Sequence, residues 1–95
     1  MNGEPTPRPR FSLGRCYITA NALRHLAHDD VLLALRRHHA GDWGDVNEHD
    51  RQANEVALEE GMRLFSVYHS ATGRKFWIIT KADRTLTTVM LPEDY

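Results

Sequence analysis

The pattern of apolar and polar positions changes period twice along this chain. Residues 13–19, LGRCYIT, set Cys16 and Ile18 on one side and Tyr17 on the other, which predicts a short strand. Thr19 stands where a hydroxyl can accept an orphan amide and start a helix over ANALRHLAH. Asp29 or Asp30 can start a second helix, VLLALRRHH, in which Val31, Leu32 and Leu35 form an apolar stripe at helical spacing. Gly41 is the natural stop. Asn47, with Asp50 three residues on, opens a third helix, EHDRQANEVALEE, with Ala53, Val56 and Ala57 as a thin buried seam and Gly61 as its left-handed end. Beyond Gly61 the period becomes two. MRLFSVYH, KFWIIT and TLTTVML are rich in branched and aromatic residues, and the short breaks SATGR and KADR turn them into an antiparallel meander. FWII is apolar on both faces, so it predicts the middle strand.

These elements give an α+β fold: a short N-terminal strand and helices, followed by a three-stranded antiparallel meander, or four strands if 12–18 joins the sheet. Three of the four prolines fall at positions 5, 7 and 9, and proline removes an amide donor and fixes φ. The expected organisation is therefore a flexible proline-rich arm over 1–11 and a single α+β domain over 12–95.

Ninety-five residues suffice for one modest core. The formal net charge of −1 supplies no global basic field, so nucleic-acid contact would need a local patch. The single cysteine, Cys16, excludes an intrachain disulfide and a cysteine-based zinc cluster, which suits a reducing compartment. Cys16 itself reads as a buried, inert thiol on its strand. No apolar run approaches the ~20 residues of a membrane span, and no hydrophobic leader opens the chain. The expected location is cytoplasmic, without membrane contact.

The densest chemistry lies in RRHHAGDWGDVNEHD, residues 36–50. Its histidines and acids could bind a metal, but no paired-histidine helix motif is present, and caps on a solvated turn explain the acids better. Neither a metal nor a cofactor is expected. No nucleophile elbow or glycine-rich phosphate loop occurs. Metal-independent RNA cleavage stays open, since it needs a proton carrier and fixed positive charge. His38 is the candidate carrier, its acid form favoured by the helix C-terminus. Arg63 and Arg84, at the ends of meander strands, are candidates for a phosphate clamp. Ser66, Tyr68, Thr87 and Thr88 offer hydroxyls. Trp43 either plugs the core or provides a stacking platform, and the plug is the stronger reading. The glycines of Gly-Asp-Trp-Gly read as architecture, Arg37 and His38 as the functional candidates.

The succession RHHAGDWG, Asp50, Asn54, GMRLFSVY, WIIT and ADRTLTTVMLPEDY resembles a family of small uncharacterised phage- and plasmid-borne proteins, over residues 12–95. The resemblance places the family's Arg-His pair on Arg37 and His38; Lys81 departs from a common glutamate. The order of helices then meander also resembles barnase/RelE-type ribonuclease toxins, a likeness of fold alone. With the residues above, one expectation is a toxin-type ribonuclease acting on RNA through His38, Arg63 and Arg84. The alternative is a non-enzymatic accessory factor that binds a host protein. A nuclease requires the three residues to meet in one cleft; an interaction module requires an exposed patch. A further expectation is homodimerisation through the 85–91 strand as an open sheet edge.

Overall fold

A computed structural model describes residues 8–95. The chain is α+β, with β1 (Arg15–Ile18), α1 (Ala20–His25), α2 (His28–His39), α3 (Glu48–Glu60), β2 (Leu64–His69), β3 (Lys75–Thr80), β4 (Leu86–Met90) and a closing 3-10 turn, Pro92–Asp94. The four strands form one sheet in the order β1-β4-β3-β2. β2, β3 and β4 are the expected antiparallel meander, and β1 joins it parallel to β4, with Arg15 opposite Leu86 and Ile18 opposite Val89.

The caps follow local chemistry. Thr19 accepts from the Ala22 amide, Asn47 from the Asp50 amide, and Gly61 ends α3 at φ 70°. The first helical stretch is shorter than the pattern predicts. α1 stops at His25, and α2 begins at His28 with Ala27 as an uncapped N-cap. Asp29 and Asp30 lie within its first turn, where their charge favours the helix N-terminus. Asp30 also accepts the Ala71 amide from the β2–β3 turn.

All three helices pack on one face of the sheet. α1 and α2 contribute Ala22, Leu26, Val31 and Ala34 to a cluster with Tyr68, Phe76, Ile78 and Val89. α3 contributes Ala57 to a second cluster with Trp43 and Leu64. Three expected core positions are corrected, Leu32 in α2 and Ala53 and Val56 in α3; Ala53 is exposed. Leu32 is 47% exposed, because the buried line of α2 runs Val31–Ala34–His38. Val56 is 54% exposed, and α3 buries Asn54 and Ala57 instead. In each case the inward stripe is rotated by one residue toward a polar side chain, which periodicity counted on apolar letters misses.

The expected arm is described from residue 8 onward; its earlier part lies outside the described residues. Arg10 and Phe11 are anchored. The Arg10 amide donates to His39 O, its guanidinium pairs with Glu55, and the Phe11 ring packs against His38, His39 and Trp43.

The 85–91 strand is not a sheet edge, contrary to the sequence expectation, because β1 covers it. The edges are β1 and β2, and they are treated differently. Along β2, Asn54 accepts from the Phe65 amide at 3.0 Å and donates to its carbonyl at 2.7 Å. The Val67 amide donates to Trp43 O, and its carbonyl accepts from the Asp45 amide. A side chain and a loop thus complete the ladder of β2 at both residues. Asn54→Ala would orphan both main-chain groups of Phe65. A loss of about 1–3 kcal/mol is expected in urea denaturation, while Val56→Asp on the exposed side of α3 should change stability little.

Candidate functional site

His38 occupies the centre of the fold. It projects from the last turn of α2 onto the helix-covered face of the sheet and is fully buried. Its Nδ1 lies 2.5 Å from Ser66 Oγ, and its Nε2 lies 2.9 Å from Thr80 Oγ1. Thr80 Oγ1 is 2.7 Å from Thr87 Oγ1, and the Thr87 hydroxyl donates to Leu13 O at 2.7 Å. Ser66, Thr80 and Thr87 are all fully buried.

The endpoint of this chain fixes the protons from Thr87 back to His38 Nε2, and with the ring neutral the Nδ1 side follows. A carbonyl only accepts, so the Thr87 proton is committed to Leu13. Thr80 must then donate to Thr87, which leaves its oxygen to accept from His38 Nε2–H. The Nδ1 lone pair in turn accepts from the Ser66 hydroxyl. The array thus puts the His38 proton on Nε2, and burial keeps the ring neutral. Burial, followed by the positive charges of His39 and Arg84, pushes its pKa down to about 3. The helix-end environment was expected to favour the imidazolium; desolvation dominates and reverses that sign. The rings of Phe11 and Trp43 close over the imidazole edge-on.

The remaining candidates are also bonded within the fold. Arg84, with a positive φ of 62°, aims its guanidinium at the end of α3. It donates to Ala57 O at 2.9 Å and Met62 O at 2.6 Å, and also to the carbonyls of Lys81 and Ala82. A cation is thereby held at the carbonyl pole of the helix, which supports the unusual backbone angle. Tyr68 is buried and donates to Asp42 O at 2.6 Å; burial pushes its phenol up. Arg37 forms a bidentate pair with Asp42, at 2.8 and 3.2 Å, and lies over the Tyr68 ring. Trp43 is only 3% exposed and donates Nε1–H to Glu55 Oε2 at 2.9 Å, so it is the core plug and not an exposed platform.

Arg63 and Thr88 are elsewhere. Strand alternation puts Ser66 and Thr80 on the helix-covered face but Phe65, Trp77 and Thr88 on the other. Arg63 donates to the Tyr95 hydroxyl at 2.7 Å, and the Tyr95 ring meets Trp77 on that second face. His38, Arg63 and Arg84 therefore do not share a cleft: His38 is sealed, Arg84 is tied to α3, and Arg63 lies across the sheet. Among the described residues no group of three or more His, Cys, Asp and Glu is arranged to hold a metal.

A concavity of the surface lies at the β1 edge of the sheet. A partly open cavity of about 420 Å³ lies between β1, α1 and α2, lined among others by Cys16, Tyr17, Leu23, Leu32 and Leu35. Leu23 and Leu32 are 65% and 47% exposed. Cys16 is exposed at this rim, contrary to the buried thiol expected, because β1 is an edge strand; its partial desolvation still raises the thiol pKa. The sequence signal for this surface was Leu32, read there as part of the apolar stripe of α2. Comparison with protein-family models, curated proteins and solved structures finds no match.

Two outcomes follow from the proton assignment. The folded pKa of His38 lies below its unfolded value of ~6.5, so the unfolded chain binds the extra proton between the two. Stability should fall as pH drops below ~6.5, with a slope approaching about 1.4 kcal/mol per pH unit, before the carboxylates titrate. Urea midpoints from pH 7 to 5 test this, and His38→Gln should flatten that slope while lowering stability throughout. In ring 15N spectra at pH 7, His38 should be the Nε2–H tautomer; an Nδ1–H or doubly protonated ring would refute the assigned array.

Proposed function

We propose that this protein is a non-enzymatic interaction module that binds a protein partner through the β1 edge and the apolar cavity beside it. The observation that carries this reading is the distribution of bonded and unbonded groups. His38, Ser66, Tyr68, Arg37, Trp43 and Arg84 all have internal partners, and the three residues a nuclease would need are separated by the sheet and by burial. Of the seven large hydrophobic residues exposed among the described residues, Leu23 and Leu32 line one cavity together with Cys16 and Ile18 of β1. An apolar concavity beside a sheet edge suits an extended partner segment. Main-chain bonds to the edge would provide affinity, and side chains set into the cavity would provide selectivity. The resemblance to phage- and plasmid-borne proteins agrees with an accessory factor that engages a host protein. The ribonuclease alternative would need a proton carrier open to RNA, and the imidazole of His38 is enclosed.

The reading is tested with displayed linear peptides selected against the folded protein. Selected sequences should alternate apolar residues, and Leu32→Glu, at an exposed position, should weaken them about tenfold or more. Total RNA should stay intact with the same preparation, in EDTA and in magnesium. RNA cleavage abolished by Arg63→Ala, or peptides indifferent to Leu32→Glu, would overturn it.

A further inference from the structure

We infer that the occupant of the β1 edge is a second copy of this chain, paired antiparallel through β1 about a two-fold axis at Tyr17. The inference rests on the interaction reading above and names the partner of the same surface.

The argument starts from which main-chain groups are already committed. In the parallel β1–β4 ladder the Arg15 amide donates to Thr85 O and the Thr19 amide to Val89 O. Ladder geometry alternates, so Arg15, Tyr17 and Thr19 face β4 while Cys16 and Ile18 turn their amides and carbonyls outward. No other described residue bonds those outward groups. On the opposite edge, Asn54 and the 43–45 segment satisfy the equivalent groups of Phe65 and Val67. One edge of the sheet is capped and the other is left as a template. Its Cys16-Tyr17-Ile18 row carries no charge or proline to block pairing.

Centring the pairing on Tyr17 is what makes the edge complementary to itself. Cys16 then stands opposite Ile18 of the second copy, and the two residues exchange both main-chain bonds; the symmetric pair does the same. The helices of both copies lie on the same side of the extended sheet. Leu23 and Leu32 beside one β1 strand thus approach their counterparts and cover the cavity. Charge agrees with this register. Arg15 falls opposite Thr19 of the second copy and not opposite its own image. The Thr19 hydroxyl is bonded to Asp94 at 2.6 Å, so each exposed Arg15 meets a carboxylate. His28 is the only formally ionisable cavity residue apart from Cys16 and Tyr17, so the apolar faces join without like-charge repulsion.

Sedimentation equilibrium from low to high micromolar concentration gives the first readout, and a dimer is expected. Arg15→Glu and Leu32→Glu, both at exposed positions, should each raise the dimer dissociation constant about tenfold or more with the fold retained by circular dichroism. Register is read by Tyr17→Cys in a Cys16→Ser background. The two-fold places these thiols in a non-hydrogen-bonded pair with Cα atoms about 4.5 Å apart, within the span of a disulfide, so mild oxidation should yield a covalent dimer. A cysteine at exposed Thr72 should not. A dimer insensitive to Arg15→Glu and untrapped at position 17 overturns the inference, as does a monomer at every concentration. If that monomer still binds the alternating peptides, the interaction reading survives and only the self-pairing fails; if it binds neither, both fail.

Discussion

One imidazole, held without a charge, joins the two layers of this protein. His38 spans from the C-terminal turn of α2 to β2 and β3, and through Thr80 and Thr87 the hydroxyl array runs on to β4 and to the segment that enters β1. Four polar side chains are fully buried there. Such a group is tolerated only when each donor and acceptor is used, since an orphan in a low-dielectric interior costs more than a satisfied one returns. That requirement sets the rotation of α2, because the ring must point at Ser66 and Thr80. It thereby turns Leu32 outward and leaves an apolar rim beside β1.

The same logic orders the periphery. Arg84 closes the carbonyl end of α3, Asn54 seals one strand, Glu55 holds both Arg10 and Trp43, and Asp42 is shared by Arg37 and the Gly44 amide. The loop Gly-Asp-Trp-Gly becomes a short extension of the sheet, with Gly44 bridged to Val67. A side chain at Gly44 would lie 2.0 Å from Val67 O, at a φ of 73°, so the close approach of loop and strand requires glycine there. Chemistry that looked catalytic in one dimension is used to tie secondary structures together in three. The outward main-chain groups of Cys16 and Ile18, at the far edge, have no such partner among the described residues.

Much of the fold was legible in the letters. The change from helical to alternating period after Gly61, the capping residues Thr19 and Asn47, and the doubly apolar FWII each reflect local rules, and β3 does lie between two strands. The pairing of β1 was not legible, since a four-residue strand carries no record of which neighbour it takes or in which direction. That one pairing moved the free edge from β4 to β1. The site was less readable still. Histidine, serine and threonine have the same letters in a sealed array as at a reacting centre, and only burial separates the two. Leu32, Ala53 and Val56 were misassigned because the inward stripes of their helices include His38 and Asn54, polar residues that an apolar pattern skips.

The topology also constrains the order of events in folding. The meander is local, each strand pairing with the next, but Arg15 finds its partner at Leu86 and Thr87 finds its acceptor at Leu13. Closing so long a span carries a loop entropy that must be met before the contacts return anything. The helices and β2–β3 can therefore assemble early, while the last strand waits to be flanked. Until β1 docks, β4 is itself exposed as an edge, and a chain held at that stage is open to misassociation.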